Sequence, residues 1–76
     1  MRIHLGGHLA YYHSQKQSWL DYRLPAPALL SRIIAEIGVP AGEVALFVIN
    51  GEIADPDTAL VEDGDILQLY PPIDGG

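Results

Sequence analysis

The last six residues, Pro71-Pro72-Ile73-Asp74-Gly75-Gly76, place a carboxylate beyond two residues that carry no side chain. A Gly-Gly terminus can enter a narrow channel and adopt backbone angles closed to other residues. Pro71 and Pro72 stiffen the approach, because each ring fixes φ at about −65°. Such a tail presents an acyl group to another protein's active site and does no chemistry unaided. The plain alternative is a frayed, inert terminus. The strand and the Pro-Pro pair ahead of the glycines favour presentation, since glycine and proline carry positional meaning. The tip, Asp74-Gly75-Gly76, is expected to be mobile.

The remaining candidates for chemistry are weaker. His4 and His8 have the spacing of metal ligands on a helix, but their segment reads as a strand that stops at Gly6-Gly7. His13 adds little, and no metal is expected. The acids Asp55, Asp57, Glu62, Asp63 and Asp65 fail the spacing of a calcium loop and read as turn formers on a solvated face. Ser14 and Ser31 have no neighbouring base and acid, so a hydrolase reading has no support. Without cysteine there is no thiolate nucleophile, disulfide or cysteine zinc site.

Composition bounds what can position the tail. The 76 residues make one domain, 49% hydrophobic, in which one sheet and one helix nearly exhaust the apolar side chains. No apolar run reaches the roughly 18 residues that span a bilayer. The start, Met1-Arg2-Ile3-His4-Leu5, reads as a strand rather than a signal peptide, so a cytoplasmic location is expected. A net charge of −6 disfavours nucleic acid or an anionic membrane surface and suits a basic protein partner.

Apolar and polar residues alternate in Arg2–Leu5 and again from Trp19 to Leu24, the period of half-buried strands. In the second run Leu20, Tyr22 and Leu24 share one face, with Trp19, Asp21 and Arg23 on the other. Residues Ala10 to Gln17 connect the two strands. Pro25 and Pro27 end the second strand and are expected to start a helix, where proline is tolerated at the first position. Leu29, Leu30, Ile33, Ile34 and Ile37 form its apolar stripe, read as core packing. Gly38 and Pro40 end it. Val44 to Ile49 is an apolar strand, Asn50-Gly51 a tight hairpin turn into Glu52-Ile53-Ala54, and Ile66 to Tyr70 the closing strand.

Hairpin, helix and further strands in this order predict an α+β chain of the β-grasp type. A mixed sheet of four to five strands wraps one helix over residues 1–70, and residues 71–76 form an extended tail. With the first and last strands adjacent in mid-sheet, the helix crosses on the inner face. Ile3, Leu5, Leu20, Tyr22, Leu67 and Leu69 then face the helix. His4, Ile66, Gln68 and Tyr70 face away from it, beside one face of the Val44–Ile49 strand, as a partner-binding patch.

Asp63-Gly64-Asp65, a strand ending in an aromatic, and then Pro71-Pro72-Ile73-Asp74-Gly75-Gly76 together resemble the closing signature of the ThiS/MoaD sulfur carriers, a family of ubiquitin-like proteins. Gly38-Val39-Pro40, Val48-Ile49-Asn50-Gly51 and the start Met1-Arg2-Ile3 extend the resemblance over the whole chain. The aromatic-Pro-Pro ending is closer to the molybdopterin branch than to the thiamin branch. The chain departs from the family pattern in its short Pro25-Ala26-Pro27 connection and in Gly6-Gly7, where bulkier strand residues are common.

The resemblance implies a co-substrate rather than an enzyme, of the kind that serves as the small subunit of a synthase complex. An E1-like adenylating enzyme would use ATP-Mg to form an acyl-adenylate at Gly76. A persulfide sulfur donor would displace AMP, and the thiocarboxylate would pass its sulfur to an acceptor synthase in molybdopterin or thiamin thiazole biosynthesis. The sequence has no phosphate-cradling glycine motif, so the ATP site belongs to the partner. Gly75, Asp74, Ile73, Pro72, Pro71, Tyr70, Gln68, Ile66 and His4 would contact partners. A modifier joined to lysines through Gly76, and an interaction module with an inert tail, are the alternatives.

Overall fold

The structure, a computed structural model, describes residues 1–72. Ile73, Asp74, Gly75 and Gly76, and with them the expectation of a mobile tip, lie outside the described residues.

Alternation becomes pairing at once. Strand β1 (Arg2–Leu5) runs antiparallel to β2 (Trp19–Asp21) and parallel to β7 (Ile66–Tyr70). Strand β4 (Leu46–Ile49) pairs antiparallel with β7 and with β5 (Glu52–Ile53). The result is a mixed five-stranded sheet of order β2-β1-β7-β4-β5, with helix α1 (Leu30–Glu36) between its central strands in the chain. This is the expected β-grasp arrangement.

The inner face is as the alternation requires. Ile3, Leu5, Leu67 and Leu69 are fully shielded and meet Leu30, Ile33 and Ile34 of the helix. Leu20 is also buried, whereas Tyr22 is half-buried and its hydroxyl donates to Glu36 at the helix end. That bond holds the Glu36 carboxyl below, and the Tyr22 phenol above, its ordinary range.

Three boundaries differ from the sequence reading. The helix does not start at the prolines. Leu29 is extended (φ −64°, ψ 137°), and Ala28–Leu29 forms β3, paired antiparallel with β6 (Leu60–Val61) in a separate two-stranded sheet. The first helical N–H groups find acceptors in a distant loop: Leu30 donates to the Ala59 carbonyl and Ser31 to that of Pro56, both at 2.9 Å. Those carbonyls satisfy donors that every helix start leaves open, so the start is fixed by tertiary contact. Likewise β2 ends at Asp21 rather than Leu24, although Tyr22 still donates to the Met1 carbonyl. Val44 and Ala45 precede β4, and Val44 closes a 3-10 turn (Ala41–Glu43).

The expected punctuation holds elsewhere. Gly38 has φ +82° and donates to the Ala35 carbonyl, while Val39 donates to that of Ile34 and buries its side chain. This pair of bonds with a left-handed glycine is the Schellman ending of a helix. Asn50 and Gly51 both have positive φ (51° and 85°) between the paired residues Ile49 and Glu52, a two-residue turn of type I′ character. Gly6-Gly7 does not merely bend the chain: it opens a 3-10 turn (Gly7–Tyr12) whose Leu9 is fully buried.

Candidate functional site

In-register neighbours on adjacent strands point to the same side of a sheet. The register therefore assembles a row across the outer face: Trp19, His4, Gln68, Val48 and Ile53. A second row holds Asp21, Arg2 and Ile66, and a third holds Tyr70 and Leu46. Thus His4, Ile66, Gln68 and Tyr70, set on this face by the alternation, lie together there, and the face of the fourth strand that joins them is Leu46 and Val48.

The face is apolar for a surface. Trp19, Leu46, Ile66 and Ile53 are all exposed, Ile53 to 75%. Val48 is buried although it belongs to this side and not to the core cluster. The His4 ring lies 4.8 Å from that of Trp19 and 5.8 Å from that of Tyr70, centroid to centroid. The Arg2 guanidinium caps the other end of this aromatic line, 4.5 Å over Trp19. Nδ1 of His4 is buried without a hydrogen-bond partner.

The exit of the tail adjoins this face. Gly6 donates to the Leu69 carbonyl and Ala45 to that of Tyr70, each at 2.8 Å, so β7 is held from both sides up to its last residue. Pro71 has no N–H to continue the ladder. Beyond it, Ala45, Leu46, Tyr70, Pro71 and Pro72 border an open apolar groove. Of the sequence-assigned tail residues, Pro71 and Pro72 are therefore placed beside Tyr70, while Ile73, Asp74, Gly75 and Gly76 lie outside the described residues.

The weaker candidates resolve into ordinary structure. His8 faces Glu43 at 3.4 Å, and Nδ1 of His13 accepts from the Gln15 N–H. Among the described residues no group of three or more His, Asp or Glu side chains converges as metal ligands would. Asp55 accepts from the Asp57 N–H and Asp65 from that of Glu62, the expected turn chemistry. No helix among the described residues is long and apolar enough to cross a membrane. Arg2, Trp19 and Ile53 were not singled out from sequence as site residues. The alternation that put Trp19 opposite Leu20 carried the signal for it, but only the strand order brings Trp19 beside His4.

Residues 8–74 match the family described as Mut7-C ubiquitin. The chain belongs to this ubiquitin-like family. The matched span leaves out β1, Gly6-Gly7 and Gly75-Gly76. No curated protein matches the chain.

Proposed function

We propose that this member of the Mut7-C ubiquitin family is a sulfur carrier that acts through Gly76. One observation carries the reading: the central strand β7 lines an exposed apolar face and delivers the chain, at its last ladder bond, into Pro71-Pro72. A partner docked on that face receives the tail in a fixed direction.

The carboxylate is a poor acyl donor because oxide is a poor leaving group. An E1-like enzyme with ATP-Mg converts it to an acyl-adenylate, releasing pyrophosphate. A persulfide then displaces AMP to give an acyl disulfide, and a second thiol cleaves the S–S bond, leaving the thiocarboxylate on Gly76. This carrier supplies the acyl group and the docking face, and the partner supplies the catalytic groups. Transfer to an acceptor synthase follows, along the lines of the ThiS/MoaD carriers that the tail resembles.

A ubiquitin-like family also accommodates a modifier, in which a lysine amine takes the place of sulfur. Intact-mass analysis of the protein from its own host separates the two. Gain of sulfur for oxygen on a chain ending at Gly76 supports the carrier; lysine-linked conjugates support the modifier; a mass showing further residues after Gly76 refutes both.

A further inference from the structure

The two glycines at the end of β1 occupy the one place where the described chain leaves no room for a side chain. A β-carbon on Gly6 would lie 2.9 Å from Cδ1 of Tyr70 and 3.0 Å from the Leu69 carbonyl oxygen. One on Gly7 would lie 2.9 Å from Cγ of Pro71. At the other described glycines nothing comes closer than 3.8 Å. Gly6 has φ −74°, a conformation open to any residue, so space and not backbone freedom requires glycine there. Gly7 has φ +51°, where asparagine is the best-tolerated replacement.

We infer that Gly6 and Gly7 are positioning residues: they form a notch without side chains that seats the Tyr70 and Pro71 rings and so sets the direction in which the tail leaves the sheet. The notch is tied to the strand it steers, since the Gly6 N–H holds the Leu69 carbonyl. Pro71 is a rigid ring with no ladder bond of its own, so its contact with Gly7 decides its placement. A β-carbon at Gly7 swings the tail root away while leaving Ile66, Gln68 and His4 in place. This deepens the carrier reading and rests on it for its effect on activity.

The test uses the full chain with its host's E1-like enzyme, in ATP–pyrophosphate exchange, on wild type, Gly6→Ala, Gly7→Asn, Pro71→Ala and the Gly7→Asn/Pro71→Ala pair. Gly7→Asn should lower kcat by roughly tenfold or more through misplacement of the acyl group, with a smaller change in KM, because Ile66, Gln68 and His4 stay in place. Pro71→Ala should lower kcat in the wild-type background but raise it in the Gly7→Asn background, because it removes the ring that the new side chain strikes. Equal losses in both backgrounds would overturn the proposal. Cα–Hα residual dipolar couplings supply a second readout: those of Tyr70–Pro72 should change in both glycine variants while those of β1 and β4 stay put. Should Gly7→Asn fail to fold, Gly6→Ala carries the kcat and coupling readouts without the Pro71 cross, because its β-carbon meets Tyr70 and Leu69; wild-type kcat with unchanged couplings in that variant would overturn the proposal. If wild type is not adenylated at all, the carrier reading fails, and the couplings alone decide the notch: unchanged values in Gly6→Ala refute it.

Discussion

At the residue scale, the proposed carrier role turns on Gly76, where the absence of a β-carbon would let the acyl group enter a narrow channel. Gly76→Val should abolish pyrophosphate exchange; full exchange activity would refute the carrier reading. Tyr70 is half-buried, close to the Gly6 backbone and opposite Leu46, and offers both an aromatic surface and a hydroxyl. Tyr70→Ala should weaken partner binding by about 1–3 kcal/mol in calorimetry. A collapse of thermal stability with normal binding would instead make Tyr70 a core residue. Asp63 illustrates a different role. Its carboxylate accepts from the Leu24 N–H at 2.7 Å and lies 3.4 Å from the Met1 amino group, which hold it below its ordinary value of 3.8. A depressed carboxyl stabilises the fold above its unfolded value and loses that contribution as pH falls through the folded one. Wild type should therefore exceed Asp63→Asn in stability at neutral pH, with the gap closing below about pH 4 in denaturant titrations; a gap that stays constant with pH would contradict this.

Elements here are stabilised largely by neighbours far away in sequence. The β4–β5 turn is a case in point. Asn50 takes a left-handed conformation, its side-chain amide donates to Asp65, and its side-chain oxygen accepts from the Ile66 N–H, both at 2.9 Å. One residue thus shapes a hairpin and anchors the first residue of the central strand. Asn50→Ala should cost about 1–3 kcal/mol, from two hydrogen bonds and the strained conformation together. Chemical denaturation would measure it, and a loss below a few tenths would show the tie to β7 to be ornamental. The short helix depends on the same kind of support, because seven residues form no stable helix in isolation. Its start is held by the Ala59 and Pro56 carbonyls and its end by the Schellman bonds at Gly38 and Val39.

Charge governs the molecule as a whole. At −6 over 76 residues, the protein repels anionic surfaces and attracts basic ones at a distance, while the outer face of the sheet is mostly apolar. Encounter should thus be electrostatic and residence apolar. Raising ionic strength from about 0.01 M to about 0.15 M should slow association with a basic partner by roughly tenfold, leaving dissociation nearly constant. Stopped-flow rates check this; an unchanged association rate would mean that charge plays no part in partner choice.

Local pattern alone was enough for the faces of β1 and β7. Period-two alternation put Ile3, Leu5, Leu67 and Leu69 inside and His4, Ile66, Gln68 and Tyr70 outside, because one burial face leaves each side chain only one choice. Asn50-Gly51 and Gly38 were legible for a similar reason: a positive φ admits few residue types. The helix start was not legible, since Leu29 fits the apolar stripe as well as Leu30 does. Only carbonyls from residues 56 and 59, brought up by folding, separate the two. The β3–β6 sheet, two residues a side, is too short to show a period. Trp19 joins His4, and Gly6-Gly7 meets Tyr70 and Pro71, solely because β1 lies between β2 and β7. The sequence by itself determined which side chains avoid water and where the chain turns, both matters of neighbours a few residues apart. The tertiary structure decided which outward residues share a surface and why two glycines must stand beside the tail, because strand order is set by pairings that no local pattern encodes.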